Sequence, residues 1–126
     1  MQILIVDDEK EIRESLCNVL ETAGYKVITA ASGAEALERL DKQTVRLMLV
    51  DLSMPGMNGE ELINKLKDNK KRPEVLVITA MAPWQASWLL GHGIGYLRKP
   101  VDAGLLLTAV GTLLRKGDRY DNAKTC

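Results

Sequence analysis

The chain has little cysteine, a single histidine, no excess of either charge and no long apolar run. Each shortage excludes something. Cys17 falls inside a helical pattern and Cys126 is the final residue, so the two thiols do not read as a disulfide framework, and a reducing, cytoplasmic setting is expected. His92 stands between two glycines with no second His or Cys nearby, which suits a loop residue better than a metal ligand or a base. Lys plus Arg and Asp plus Glu number 17 each. A dedicated nucleic-acid surface would show a basic excess, so direct nucleic-acid binding by this domain is not expected. Met1 leads straight into Ile3–Val6 and then acids, without the basic start and longer apolar run of a signal peptide. No stretch is long enough to cross a bilayer, and there is no internal repeat or low-complexity linker.

What is present is a regular alternation. The 126 residues are 46% apolar and 27% charged, enough for one domain with a buried core. Short apolar runs occur at Ile3–Val6, Lys26–Thr29, Leu47–Val50, Val75–Thr79 and Tyr96–Leu97. Apart from the second and the last they are nearly continuous in Val, Ile, Leu and Met, as strands covered on both faces are. Between them Ile12, Leu16, Val19, Leu20 and Ala23 recur at helical spacing, with Gly24 as a stop. Ser32 caps a second predicted helix through Leu37 and Leu40, and Asn58 a third through Leu62, Ile63 and Leu66. Another helix is placed around Trp84 to Leu90, and a final one on Leu106, Ala109, Val110 and Leu113. Strands alternating with helices predict an α/β fold, a doubly wound five-stranded parallel sheet with helices on both faces. The segment from Arg115, RKGDRYDNAKTC, reads as a frayed end or the start of a linker, dividing the chain into 1–116 and 117–126.

Ligands of such sheets bind beyond the carboxyl ends of the strands. There the chain places Asp7 and Asp8, Asp51, Thr79, and Lys99 before Pro100. Singly, each has a plain explanation: Asp8 as a helix cap, Thr79 as an ordinary strand residue, Asp51 as a turn former, Lys99 as a solvated lysine. Together the three carboxylates would repel and push a proton onto one of them. A hard dication with oxygen ligands, such as Mg²⁺, removes that penalty.

With these residues in view, the chain resembles a response-regulator receiver domain of two-component signalling, over residues 2 to 116. The motifs are ILIVDDE at 3–9, LMLVDLSMPGMNG at 47–59, VLVITA at 75–80 and YLRKP at 96–100, in order and suitably separated. The resemblance implies a flavodoxin-like sheet of strand order 2-1-3-4-5. It implies that Asp51 takes a phosphoryl group from a sensor histidine kinase or phosphotransfer protein, with Mg²⁺ held by Asp7, Asp8, Asp51 and the main-chain carbonyl of Ser53. Lys99 would pair with Asp51 and later with the phosphoryl group, aimed there by a cis bond to Pro100. Thr79 and Tyr96 would be the switch, with small Ala80 leaving the site open. Ser53 and Met81 occupy positions that tune hydrolysis, and neither can position an attacking water strongly, so a long-lived phosphoryl state is expected.

The chain also departs from the family. Asn58 stands where Asp is usual, and the interval from Thr79 to Lys99 is shorter than usual, with Pro83 at the start of the expected helix. No Asp, Glu, Lys or Arg occurs from Val75 through Leu97 or from Ala103 to Leu114. Either Trp84 and Trp88 pack inward, or they form with Leu105 an apolar patch for a homodimer or a linked output domain. Two other classes compete with the switch. An aspartyl-nucleophile phosphohydrolase would want a second acid where Ser53 stands and room for a substrate cap. A receiver-like scaffold that is never phosphorylated would usually lack part of the acid cluster or the lysine.

Overall fold

The computed structural model describes residues 2–52, 59–66, 73–80 and 94–125, the last ten of these by backbone alone. Strand β1, Gln2–Val6, sends Ile3 and Ile5 to one face of the sheet and Leu4 and Val6 to the other, and all four are buried. β3, Leu47–Val50, divides the same way: Leu47 and Leu49 join the first pair, Met48 and Val50 the second. A strand covered on both faces has no solvated positions, which is why it reads as an unbroken apolar run. Each fully buried Leu or Ile contributes roughly 1.5–3 kcal/mol relative to exposure.

β4, Glu74–Thr79, lies beside β3, and the remaining strands β2, Lys26–Ala30, and β5, Gly95–Arg98, form the two edges. The five parallel strands run in the order β2-β1-β3-β4-β5, the doubly wound, flavodoxin-like arrangement expected. The two runs that broke the continuous apolar pattern are thus the edge strands, which are only partly covered.

Helix α1, Lys10–Thr22, and the C-terminal helix, Ala103–Thr125, cover one face through Leu16 and Leu20 and through Leu106, Val110 and Leu114. Helices α2, Gly33–Lys42, and α3, Gly59–Leu66, cover the other through Ala36, Leu62, Ile63 and Leu66. The spacing of three and four residues puts each set on one stripe. α1 stops at Gly24, whose φ of 97° only glycine adopts freely. The Gly24 N–H bonds to the Glu21 carbonyl and the Tyr25 N–H to the Leu20 carbonyl, the Schellman pattern that satisfies the last carbonyls. α2 starts as expected, with the Ser32 hydroxyl accepting the Glu35 N–H at 3.1 Å.

The C-terminal helix passes through the segment read as a tail, so no helix end marks residue 116. No proline interrupts it, and Gly111 and Gly117 cost only about 1 kcal/mol each. The helix expected at Trp84 to Leu90, with Pro83, His92 and the Asn58 cap, lies outside the described residues. No described helix is long and apolar enough to cross a membrane.

Candidate functional site

β1 and β3 are neighbours in register, Val6 beside Val50, so Asp7 and Asp51 are the next residues on adjacent strands. Each stays in the ladder for one residue more. The Asp7 N–H donates to the Ala30 carbonyl at 3.2 Å, and the Asp51 N–H to the Val6 carbonyl at 3.0 Å. Lys99 follows β5 in the same way: its N–H donates to the Thr79 carbonyl at 2.9 Å, and its bond to Pro100 is cis.

Asp7, Asp51 and Thr79 are the buried polar residues among those described. Two adjacent buried carboxylates need a counter-charge, since burial penalises each and their charges repel. Lys99 provides it. Its Nζ lies 2.8 Å from Asp7 Oδ2 and 3.1 Å from Asp51 Oδ2. Burial is the largest influence on the Lys99 ammonium and draws its pKa down. The hydrogen bonds to Asp7 and Asp51, reinforced by their charges, outweigh burial and hold it above the ordinary 10.5.

Asp8 does not cap α1. Glu9 holds the N-cap position, and its side chain makes no capping hydrogen bond. The turn is fixed instead by Asp7, whose Oδ1 accepts the Glu9 N–H at 2.9 Å and whose carbonyl accepts a bond from the Arg13 guanidinium at 2.7 Å. In consequence carboxylate oxygens of Asp7, Asp8, Glu9 and Asp51 all lie within 4.8 Å of one another. Asp7 and Asp51 are buried, Asp8 and Glu9 exposed. Among the described residues one ammonium faces four carboxylates, a negative excess, and an all-oxygen donor set suits a hard dication such as Mg²⁺.

Gly59, the first residue of α3, closes the floor. A Cβ there would stand 2.5 Å from the Asp51 main-chain oxygen and 2.8 Å from Val50 Cγ1. Only a residue without a side chain lets α3 approach the acceptor strand this closely.

The structure therefore brings Asp7, Asp8, Asp51 and Lys99 together and holds Thr79 beside Lys99 through the main chain. Ala80 follows as an exposed residue. Tyr96 is half-buried on β5 in register with Val77 and packs on the core beneath α2 and α3. Leu105 is 60% exposed, one residue before the buried Leu106. Ser53, Met81, Trp84 and Trp88 lie outside the described residues. Sequence reasoning gave no role to Glu9, Arg13 or Gly59. Glu9 directly follows the acid pair and Gly59 ends the second motif, the one signal available for each.

Against known proteins, a family model described as the response regulator receiver domain matches residues 3–111. The transcriptional regulatory protein CpxR of Escherichia coli is 34% identical over 118 residues, which are 91% of this chain and 50% of CpxR. The alkaline phosphatase synthesis transcriptional regulatory protein PhoP of Bacillus subtilis is 32% identical over 120 residues, 93% of this chain and 50% of PhoP. The chain thus spans about half the length of these curated relatives. A CheY-like receiver domain from Methanospirillum hungatei superposes with a TM-score of 0.87 at 30% identity, covering 94% of this chain and 97% of that one. The response regulator TrrA of Thermotoga maritima, in complex with Mg²⁺-BeF, gives 0.79 at 32% identity, covering 89% and 97%.

Proposed function

The chain belongs to the response regulator receiver domain family of two-component systems, and from that premise we propose that it is a phosphorylation switch with Asp51 as acceptor. The observation that carries the reading is the Lys99 ammonium held between the buried carboxylates of Asp7 and Asp51 at the carboxyl edge of the sheet. A carboxylate poised beside a cation and a reservoir of hard oxygen ligands is suited to phosphoryl transfer, where positioning and charge neutralisation do most of the work.

An Asp51 carboxylate oxygen attacks the phosphorus of a phosphohistidine on a sensor histidine kinase or phosphotransfer protein. The P–N bond breaks, and its electron pair stays on the imidazole. Asp7, Asp8, Asp51 and the Ser53 main-chain carbonyl would hold Mg²⁺, which when bound would neutralise charge on the phosphoryl oxygens. Lys99 exchanges a carboxylate partner for a phosphoryl oxygen. The Thr79 hydroxyl turns to the same group, Ala80 leaves it room, and Tyr96 moves inward. The chain accelerates only its own modification and its reversal, so it acts as a switch rather than an enzyme on other substrates. Ser53 and Met81 offer an attacking water no strong partner, which favours a long-lived phosphoryl state.

Such a modification shifts a pre-existing equilibrium. The proposed readout face is the one bearing the exposed Leu105, and it docks a second copy or an output domain. CpxR and PhoP are transcriptional regulatory proteins about twice the length this chain covers, which supports a linked output domain that controls transcription. The receiver unit is then residues 1–116, with 117–126 leading away from it, in the cytoplasm.

The test is incubation with acetyl phosphate and Mg²⁺, comparing the unaltered chain with Asp51→Asn by intact mass. A gain of one phosphoryl group in the unaltered chain alone supports the switch. No gain in either protein supports an unphosphorylated scaffold, and steady phosphate release from varied substrates supports a phosphohydrolase.

A further inference from the structure

The fourth carboxylate, Glu9, has no part in the ligand set just described, yet its placement is specific. It occupies the N-cap of α1 without capping the helix. Its N–H is tied to Asp7 Oδ1, and Arg13 anchors the preceding carbonyl. Its own carboxylate is left facing the site, with Oε1 3.8 Å from Lys99 Nζ. Lys99 is meanwhile bonded most closely to Asp7 Oδ2. A dication that takes Asp7 and Asp51 must compete with that ammonium, because two cations cannot share one carboxylate oxygen without strong repulsion.

We propose that Glu9 is a positioning residue that receives the Lys99 ammonium when a divalent cation displaces it from Asp7. The proposal rests on the metal-dependent switch proposed above. Without Glu9 the displaced ammonium keeps, of its described ion-pair partners, only Asp51, close to the incoming ion. With Glu9 it moves a short distance outward, keeps an anionic partner and leaves Asp7 free. Glu9 thereby raises the affinity for the ion without ligating it. Glu9 is well exposed, with a side-chain accessibility of 63%, so the effect is that of a solvent-screened pair, about three- to fivefold in affinity.

Mn²⁺, a hard dication, is titrated into the full chain and the free ion followed by electron paramagnetic resonance, for the unaltered chain, Glu9→Gln, Lys99→Gln and the double variant. The expected result is a dissociation constant about three- to fivefold higher for Glu9→Gln, and no further change when Glu9→Gln is added to Lys99→Gln. Glu9→Asp, which keeps the charge but withdraws it from Lys99, should weaken binding as Glu9→Gln does. An unchanged dissociation constant in Glu9→Gln would overturn the proposal. So would an equal loss in both lysine backgrounds, which would mean that Glu9 acts by its charge alone. Failure of the unaltered chain to bind Mn²⁺ would overturn the metal-dependent reading as well, whereas binding indifferent to Glu9 overturns this inference only.

Discussion

The Lys99 ammonium lies nearer Asp7 than Asp51, at 2.8 Å against 3.1 Å, and both carboxylates are almost wholly buried. In this arrangement the lysine holds the acid pair together. Replacing it by Gln removes the ammonium that two buried carboxylates share. Lys99→Gln should therefore lose about 3–5 kcal/mol in urea unfolding at neutral pH without metal, a penalty that follows from removing one partner of a buried pair. Added Mg²⁺ should restore part of the loss. A variant as stable as the unaltered chain in metal-free buffer would contradict this role.

The same contact fixes a pH dependence. The Lys99 pKa is raised in the folded chain, so folding favours the protonated form. That contribution is complete below the unfolded value of about 10.5 and declines as pH rises through the higher folded value. Unfolding of the unaltered chain and of Lys99→Gln, compared at intervals from neutral pH upward, should show a stability gap that is constant at first and narrows only in strongly alkaline solution.

Gly59 faces the Asp51 carbonyl at a distance no Cβ can occupy. Gly59→Ala must push α3 away from β3, at a cost of about 1–3 kcal/mol typical of overpacking. Asp51 moves with its strand, so the acetyl phosphate reaction should also slow. An Ala variant with unchanged urea midpoint and unchanged phosphorylation rate would show that α3 adjusts freely.

Neighbours on the C-terminal helix should behave in opposite ways. Leu106 is buried and Leu105 is 60% exposed. Leu106→Ala should cost about 2–5 kcal/mol, and Leu105→Ala less than about 0.5 kcal/mol. If Leu105 belongs to a docking face, its replacement should instead reduce self-association of the phosphorylated chain in sedimentation velocity.

Cys17 should be a poor nucleophile. Burial, then a hydrogen bond to Glu21 and the charge of that carboxylate, push the thiol from 9.0 up to about 11. Two units correspond to ~100-fold less thiolate at neutral pH. In a Cys126→Ser background, reaction with a disulfide reagent should be slow and should accelerate when Glu21 is replaced by Gln.

Much of this was legible in the residues. Val6, Val50, Thr79 and Arg98 end parallel strands, so Asp7, Asp51, Thr79 and Lys99 had to share an edge, and that inference needs only topology. The contrast between continuous and broken apolar runs separated central from edge strands. Gly24 and Ser32 announced a stop and a start because each does something at a helix end that few residues do. Other features depend on direction and distance, which periodicity does not encode. Whether Asp8 or Glu9 took the N-cap turned on a hydrogen bond from the Glu9 amide to Asp7. The need for Gly59 came from how closely a helix approaches a strand. The extent of the C-terminal helix rested on weak propensities that gave no clear end.

The amides of Asp7, Asp51 and Lys99 each make one ladder bond beyond the strand that precedes them. Asp7, Asp51 and Lys99 are thus mounted on the sheet rather than on loops that can loosen by themselves. These three amides should exchange with solvent only when the whole sheet opens, in the slowest class of the protein. Thermal damage would then lose the Asp7–Lys99–Asp51 arrangement and the core in a single step, and a chain that keeps its sheet keeps these three side chains together.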